Sequence, residues 1–140
     1  MDKVYKEIIV EGKLYASILD PTLAKEGLDF LTEDSSFLQV GTWNYKKGHK
    51  LEPHYHNEFS RESTITCEGI FVVKGKVKCN LYKKNKEKIN SYEIEEGQIM
   101  FQFFGIHEYE IEEDSIVVEI KNGPYFGPEK DRTRINVRKN

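Results

Sequence analysis

The spacing of hydrophobic and polar residues changes near Ser36. From there to about Ile120, short runs rich in Val, Ile, Phe, Tyr and Thr alternate with polar or glycine-containing turns, a pattern typical of β-strands. We predict strands at 37–45, 50–56, 65–73, 77–82, 91–94, 99–103, 107–111 and 116–120. Eight short strands at this spacing indicate an all-β fold, with an antiparallel sandwich or double-sheet β-barrel as the expected architecture.

The two ends of the chain lack this alternation. Residues 1–35 contain Pro21, Gly27 and scattered leucines, so we expect an irregular N-terminal arm with at most one short helix. Residues 122–140 are rich in Gly and Pro, which favours an extended tail. A length of 140 residues fits one domain, with the barrel at 36–121 between the arm and the tail.

Composition narrows the range of partners. The net charge is −3 and the pI about 5.9, which argues against nucleic-acid or anionic-membrane partners, because both require a concentrated basic face. No apolar run reaches the length of a membrane span, and the charged start has no signal-peptide core. We therefore expect a soluble cytoplasmic protein whose cysteines, Cys67 and Cys79, are reduced.

Two histidines stand one residue apart in the stretch "LEPHYHNEF". Side chains at i and i+2 of a strand point to the same face, which places His54 and His56 roughly 7 Å apart at their Cα atoms. Two imidazoles in this arrangement can converge on one metal ion. The alternative is a polar pair on a solvated strand edge.

Further metal ligands would come from neighbouring strands. Glu68 is in phase with Ile70 and Val72, and a carboxylate on an inward-facing apolar row needs a partner or a metal. His107 is in phase with Tyr109 on a later strand. Three imidazoles and one carboxylate suit one divalent transition metal such as Fe, Mn, Ni, Cu or Zn.

These residues also carry a resemblance to the cupins, a family of small β-barrel proteins. Their first motif, G-x5-H-x-H-x3-4-E-x6-G, is matched by Gly48, His54 and His56. A longer loop then leaves two candidates for the acidic ligand. Glu62 and Glu68 each precede a glycine by the interval of the motif, and we prefer Glu68 because "EGIFVVKGKV" resembles the family's strand and turn.

The second cupin motif, G-x5-P-x-G-x2-H-x3-N, is matched less closely. Gly97, Gly105 and His107 correspond to it, but His107 comes one residue early. Phe103 replaces the proline and Ile111 the asparagine. The chain is also similar to small single-domain cupins found with bacterial surface-sugar biosynthesis. The resemblance implies a jelly-roll barrel, a metal site at His54, His56, Glu68 and His107, and no particular reaction.

A small-molecule ligand is the expected partner. Arg61 would contact a carboxylate or phosphate group of this ligand. The residues expected to line the cavity are Tyr109, Gln39 and Trp43. A surface arginine and a core tryptophan are the alternatives for Arg61 and Trp43. Two functions remain open: a metal-dependent enzyme acting on a small polar molecule such as a sugar derivative, including a dioxygenase, or a non-catalytic binding or sensory module.

Assembly is predicted from the segment "KVYKEIIVEGKLYASI" near the N-terminus. It carries more apolar side chains than a loose tail should expose, so a homodimer is expected. The alternative is that this segment covers its own barrel.

Overall fold

The computed structural model describes residues 2–138. Within them the chain forms strands β1 to β10, one 3-10 turn and one short helix. The strands are β1 Tyr5–Val10, β2 Lys13–Leu19, β3 Gly27–Phe30, β4 Gly41–Asn44, β5 Glu68–Lys74, β6 Lys76–Tyr82, β7 Lys88–Glu95, β8 Ile99–Gln102, β9 Ile106–Ile111 and β10 Ile116–Lys121. The 3-10 turn is Pro21–Leu23 and the helix, α1, is Pro128–Asp131.

All strand pairs are antiparallel, which confirms the predicted all-β class. A five-stranded sheet has the order β1-β2-β8-β5-β10, and a three-stranded sheet has the order β7-β6-β9. Strands β3 and β4 form a separate hairpin. Among the described residues these sheets do not close into a barrel, so β10 and β9 each end their sheet with a free edge.

The core lies between the two larger sheets. Ile18, Val72 and Met100 of the five-stranded sheet share one buried cluster with Leu81 and Ile94 of the three-stranded sheet. Each belongs to a strand in which buried and less buried positions alternate, or in which nearly every position is buried. This burial of two apolar faces against each other stabilises the sandwich.

The expectation of an irregular N-terminal arm was wrong. Residues 1–35 contain three strands as well as the 3-10 turn, and β2 pairs with both β1 and β8 near the middle of the five-stranded sheet. Its segment Tyr15–Leu19 is buried on both faces, so it lacks the alternation by which strands were recognised. Glu11 and Gly12 have positive φ angles of 52° and 76°, as in the tight turn of a two-residue hairpin.

The strand predicted at 50–56 is also absent. No strand lies between Asn44 and Glu68 of the described chain. Pro53 lacks a backbone donor for a sheet ladder, and polar residues surround it. The strand predicted at 37–45 is reduced to Gly41–Asn44.

The N-terminal apolar segment packs within its own chain. Ile8, Tyr15 and Ile18 are buried, whereas Ile9 is exposed. This burial covers part of the surface on which the homodimer was predicted, and the dimer itself stays a prediction. Across residues 2–138, the chain has no helix with both the length and the apolar character to span a membrane.

Candidate functional site

Glu68 and His107 meet where the two large sheets face each other. Glu68 begins β5 and lies in phase with buried Ile70 and Val72, so its carboxylate points inward with them. His107 lies near the start of β9 in the facing sheet. Its Nε2 atom is 2.9 Å from Oε1 of Glu68, and the two side chains are 34% and 13% exposed respectively. The contact is therefore partly shielded from water but still reachable.

A second carboxyl group, Glu119 of β10, lies beside Glu68. The hydrogen bond that it shares with Glu68 raises the pKa of Glu119, with a further contribution from burial. Burial alone would raise the pKa of Glu68, but hydrogen bonding and charge from His107, aided by Glu119 and Lys121, outweigh it and lower that pKa. Two adjacent carboxyl groups thus differ in their preference for a proton. Glu119 was not recognised from the sequence, although it lies two residues from Val117, which packs against the core.

A buried polar network lies beside the pair. Gln102 is the direct cross-strand partner of Glu68 and is only 2% exposed. Its Nε2 atom donates to the hydroxyl of Tyr109 over 2.8 Å and to Sγ of Cys79 over 3.2 Å. Its Oε1 atom is buried without a hydrogen-bond partner in the described chain. Gln102 was overlooked because "MFQFF" was interpreted as core, although its spacing of two from Met100 places a polar side chain on the inner face.

Protonation in this network follows from burial. Burial raises the pKa of the Cys79 thiol to about 12, and it raises that of the Tyr109 hydroxyl well above its usual value. Both groups therefore remain neutral near pH 7. Tyr109 accepts from Gln102 and also lies in hydrogen-bonding contact with Cys79.

His54 and His56 lie elsewhere, in the exposed segment before β5. Their rings are 5.2 Å apart at the centroids and nearly perpendicular, and Nδ1 of His54 contacts the carbonyl oxygen of Glu52 at 2.8 Å. Because no strand forms here, the predicted same-face geometry is not observed. In the described chain no three His, Cys, Asp or Glu side chains form a group able to hold a metal. The four predicted ligands are chemically suitable, but they lie as two separate pairs.

The other residues that were predicted to contact a ligand are exposed or make local contacts in the structure. The Gln39 amide donates to three carbonyl oxygens of its own loop, those of Glu33, Asp34 and Ser36. Trp43 is 67% exposed on the β3–β4 hairpin. The guanidinium of Arg61 lies 3.7 Å from the centre of the Phe59 ring, within the same exposed segment as the histidines. Glu62 is exposed there as well.

Comparisons with known proteins found no match to this chain, either among protein-family models or among curated proteins and solved structures. The cupin resemblance therefore rests on the motif residues alone.

Proposed function

We propose that the protein is a cupin-type protein that binds one divalent transition metal, Fe, Mn, Ni, Cu or Zn, and acts on a small polar molecule such as a sugar derivative. The observation that carries this proposal is the contact between Glu68 and His107 across the two sheets. Glu68 and His107 are the acid and the second-motif histidine that the cupin resemblance assigns as ligands, with a longer loop before Glu68 and with His107 one residue early. A half-buried carboxylate beside an imidazole is a suitable pair of donors for such an ion.

The free strand edges support a jelly-roll barrel in its closed form. β9 and β10 end their sheets, and apolar side chains on them remain exposed, among them Ile111 on β9 and Ile120 on β10. Free edges carry unpaired backbone donors and acceptors that favour a further strand. We propose that, in the closed form, the segment that carries His54 and His56 lies against the free edge of β9, with regular pairing interrupted at Pro53. This arrangement would bring both histidines beside His107.

The residues around the metal would then have separate tasks. His54, His56, Glu68 and His107 would hold the ion, which would supply Lewis acidity or a binding position for O₂. Tyr109, fixed by Gln102, would donate a hydrogen bond from its hydroxyl to an oxygen atom of the ligand. Arg61, Gln39 and Trp43 would contact the ligand only after the segment around the histidines has closed.

Non-catalytic binding is the second candidate function. It is favoured by the direct hydrogen bond between Glu68 and His107, which needs no metal between them. The unpartnered Oε1 atom of Gln102 is a further acceptor near the same place. In this case the same side chains would contact a small hydroxylated ligand directly, and the barrel would serve as a binding or sensory module.

Metal content separates these functions. Protein purified without a histidine tag and reconstituted at neutral pH should contain one transition-metal ion per chain. Glu68→Gln should lower the content clearly and His56→Ala should remove most of it, whereas the matched control Glu62→Gln should retain it. If the wild type takes up no metal, the metal site is wrong and direct ligand binding is favoured. If Glu62→Gln loses metal and Glu68→Gln keeps it, the acidic ligand has been misassigned.

A further inference from the structure

A cleft of about 300 Å³ opens at the end of the five-stranded sheet where β5 begins and β10 ends. Its walls come from residues 63–66 before β5 and from the segment after β10 that leads into α1. Thr66 lies two residues from Glu68, a distance of at most roughly 7 Å along an extended chain. The cleft therefore adjoins the start of β5, the strand that carries Glu68, although Glu68 and His107 do not line it.

One asparagine fixes the floor of this cleft. Oδ1 of Asn122 accepts from the backbone N–H of Cys67 over 2.8 Å, and its Nδ2 atom donates to the carbonyl oxygen of Ile65 over 3.1 Å. Both ends of the amide are thus occupied in holding two chain segments together. The cleft is built by side-chain bonds between distant parts of the sequence, and its shape does not depend on a ligand.

Other groups in the cleft have no protein partner. The hydroxyls of Thr64 and Thr66 form no hydrogen bond within residues 2–138, and both side chains are accessible. In the same range, no carboxylate forms an ion pair with Lys130, whose Nζ atom lies 4.8 Å from the centre of the Phe126 ring. Two hydroxyl donors and one ammonium group therefore face solvent from a preformed cleft.

Lys130 and Asp131 are the charged residues of the cleft wall. Asp131 is approached by Lys121 at 3.7 Å and by Arg132 at 3.8 Å, and Lys121 also lies 3.9 Å from Glu119. Asp131 is thus already paired, whereas Lys130 has no carboxylate partner among residues 2–138. An anion is the ligand that this ammonium group and the two hydroxyls would recognise.

We propose that this cleft binds the anionic end, a phosphate or a carboxylate, of a small polyhydroxylated ligand. This inference rests on the proposed function for the other end of that ligand, which would reach the Glu68–His107 pair. Lys130 would provide the charge, and Thr64 and Thr66 would donate hydrogen bonds to the anionic oxygens. The cleft volume is at the lower end of the range for small-molecule sites, which fits a small ligand.

Calorimetric titration of the full-length protein with glycerol 3-phosphate, glycerate and glycerol tests this assignment. At least one of the two anions should bind about tenfold more tightly than glycerol, and the stronger of the two identifies the anionic group. Lys130→Gln should weaken binding of that anion about tenfold, and Thr66→Val should weaken its binding less. The control variant Lys3→Gln replaces an exposed lysine before β1, at the opposite edge of the five-stranded sheet, and should bind the anion like the wild type.

Two results would overturn the inference. Either the anions bind no better than glycerol, or Lys3→Gln loses as much affinity as Lys130→Gln, which would indicate non-specific attraction. Metal content measured on the same samples keeps this test separate from the proposed function. Loss of anion binding in Lys130→Gln with full metal content supports the cleft. A wild type that binds metal but no anion refutes the cleft and leaves the metal site standing.

Discussion

The contact between Glu68 and His107 should contribute a coupling free energy of about 1 kcal/mol to folding, measured from Glu68→Gln, His107→Asn and the double variant. A hydrogen bond to a charged group contributes about 1.5–3 kcal/mol, and an exposed ion pair about 0.2–1 kcal/mol. This pair, 13% and 34% exposed at a distance of 2.9 Å, lies between these cases. Because His107 is partly exposed, we expect a coupling free energy of about 1 kcal/mol, near the upper end of the range for exposed ion pairs.

The full cycle is needed because Glu119 shares a hydrogen bond with Glu68. Glu68→Gln removes the contact with His107, but it also removes a negative charge beside Glu119, and these two effects oppose each other. The single variant therefore underestimates the coupling. Since the effect of Glu119 occurs with either residue at position 107, it cancels in the double-mutant cycle.

The pH dependence provides a second check on Glu68. Its pKa is lowered in the folded protein, so the stability that it contributes is fully present above the unfolded value of about 4.3. That contribution is lost as the pH falls through the lower folded pKa. The difference in stability between the wild type and Glu68→Gln should therefore be smaller at about pH 3 than at about pH 6.

Urea unfolding followed by far-ultraviolet circular dichroism measures these free energies. Trp43 is a poor fluorescent probe because it is already exposed in the folded state. The control is a cycle on Lys25 and Asp29, which form an ion pair of 2.9 Å with the lysine 68% exposed and should couple by a few tenths of a kcal/mol. A Glu68–His107 coupling no larger than this control at about pH 6 would refute the claim that the two sheets are joined by a specific contact here.

Three further predictions concern the fold. Gly75→Ala should destabilise the protein by about 2 kcal/mol or more in urea unfolding, because φ is +91° and a Cβ would lie 2.3 Å from Oγ of Ser115. Gly97→Ala should cost only about 1–2 kcal/mol, because its φ of +86° is similar but a Cβ there meets open space. Equal losses in the two variants would contradict this. Met100→Ala should cost about 2–5 kcal/mol in the same assay, because Met100 is fully buried in the core, and a loss below 1 kcal/mol would place it outside a close-packed site. The Cys79 thiol should not react with a disulfide reagent at neutral pH until the protein unfolds, because it is buried and its pKa is about 12; rapid reaction in the folded protein would contradict its burial.

The strands after Glu68 were predictable from the sequence because their apolar residues alternate or their runs end at clear turns. Val77–Tyr82 and His107–Ile111, for example, fall within β6 and β9. Strand β2 was missed because it is buried on both faces and its residues do not alternate. Residues 50–56 were counted among the short strand-like runs, but Pro53 opposes pairing there.

The site was predictable only where strand phase determines it. The alternation around Glu68 correctly indicated an inward carboxylate, and the structure places His107 against it. Gln102 and Glu119 were not recognised, because their role depends on which strands become neighbours, and strand order across sheets is not a local property of the sequence. For the same reason the relation of His54 and His56 to the other pair could not be obtained from spacing.

The proposed transition-metal site, in which Glu68 and His107 are completed by His54 and His56, can be tested by titrating metal-free protein with Co²⁺ and recording the visible absorption of the bound ion. An ion held by these four residues should give a spectrum that saturates at one equivalent, is lost in His107→Asn, and is weakened or altered in His54→Asn, with the control Glu62→Gln like the wild type. A wild-type spectrum identical to that of Co²⁺ in buffer, or one that is unchanged in both histidine variants, would contradict it.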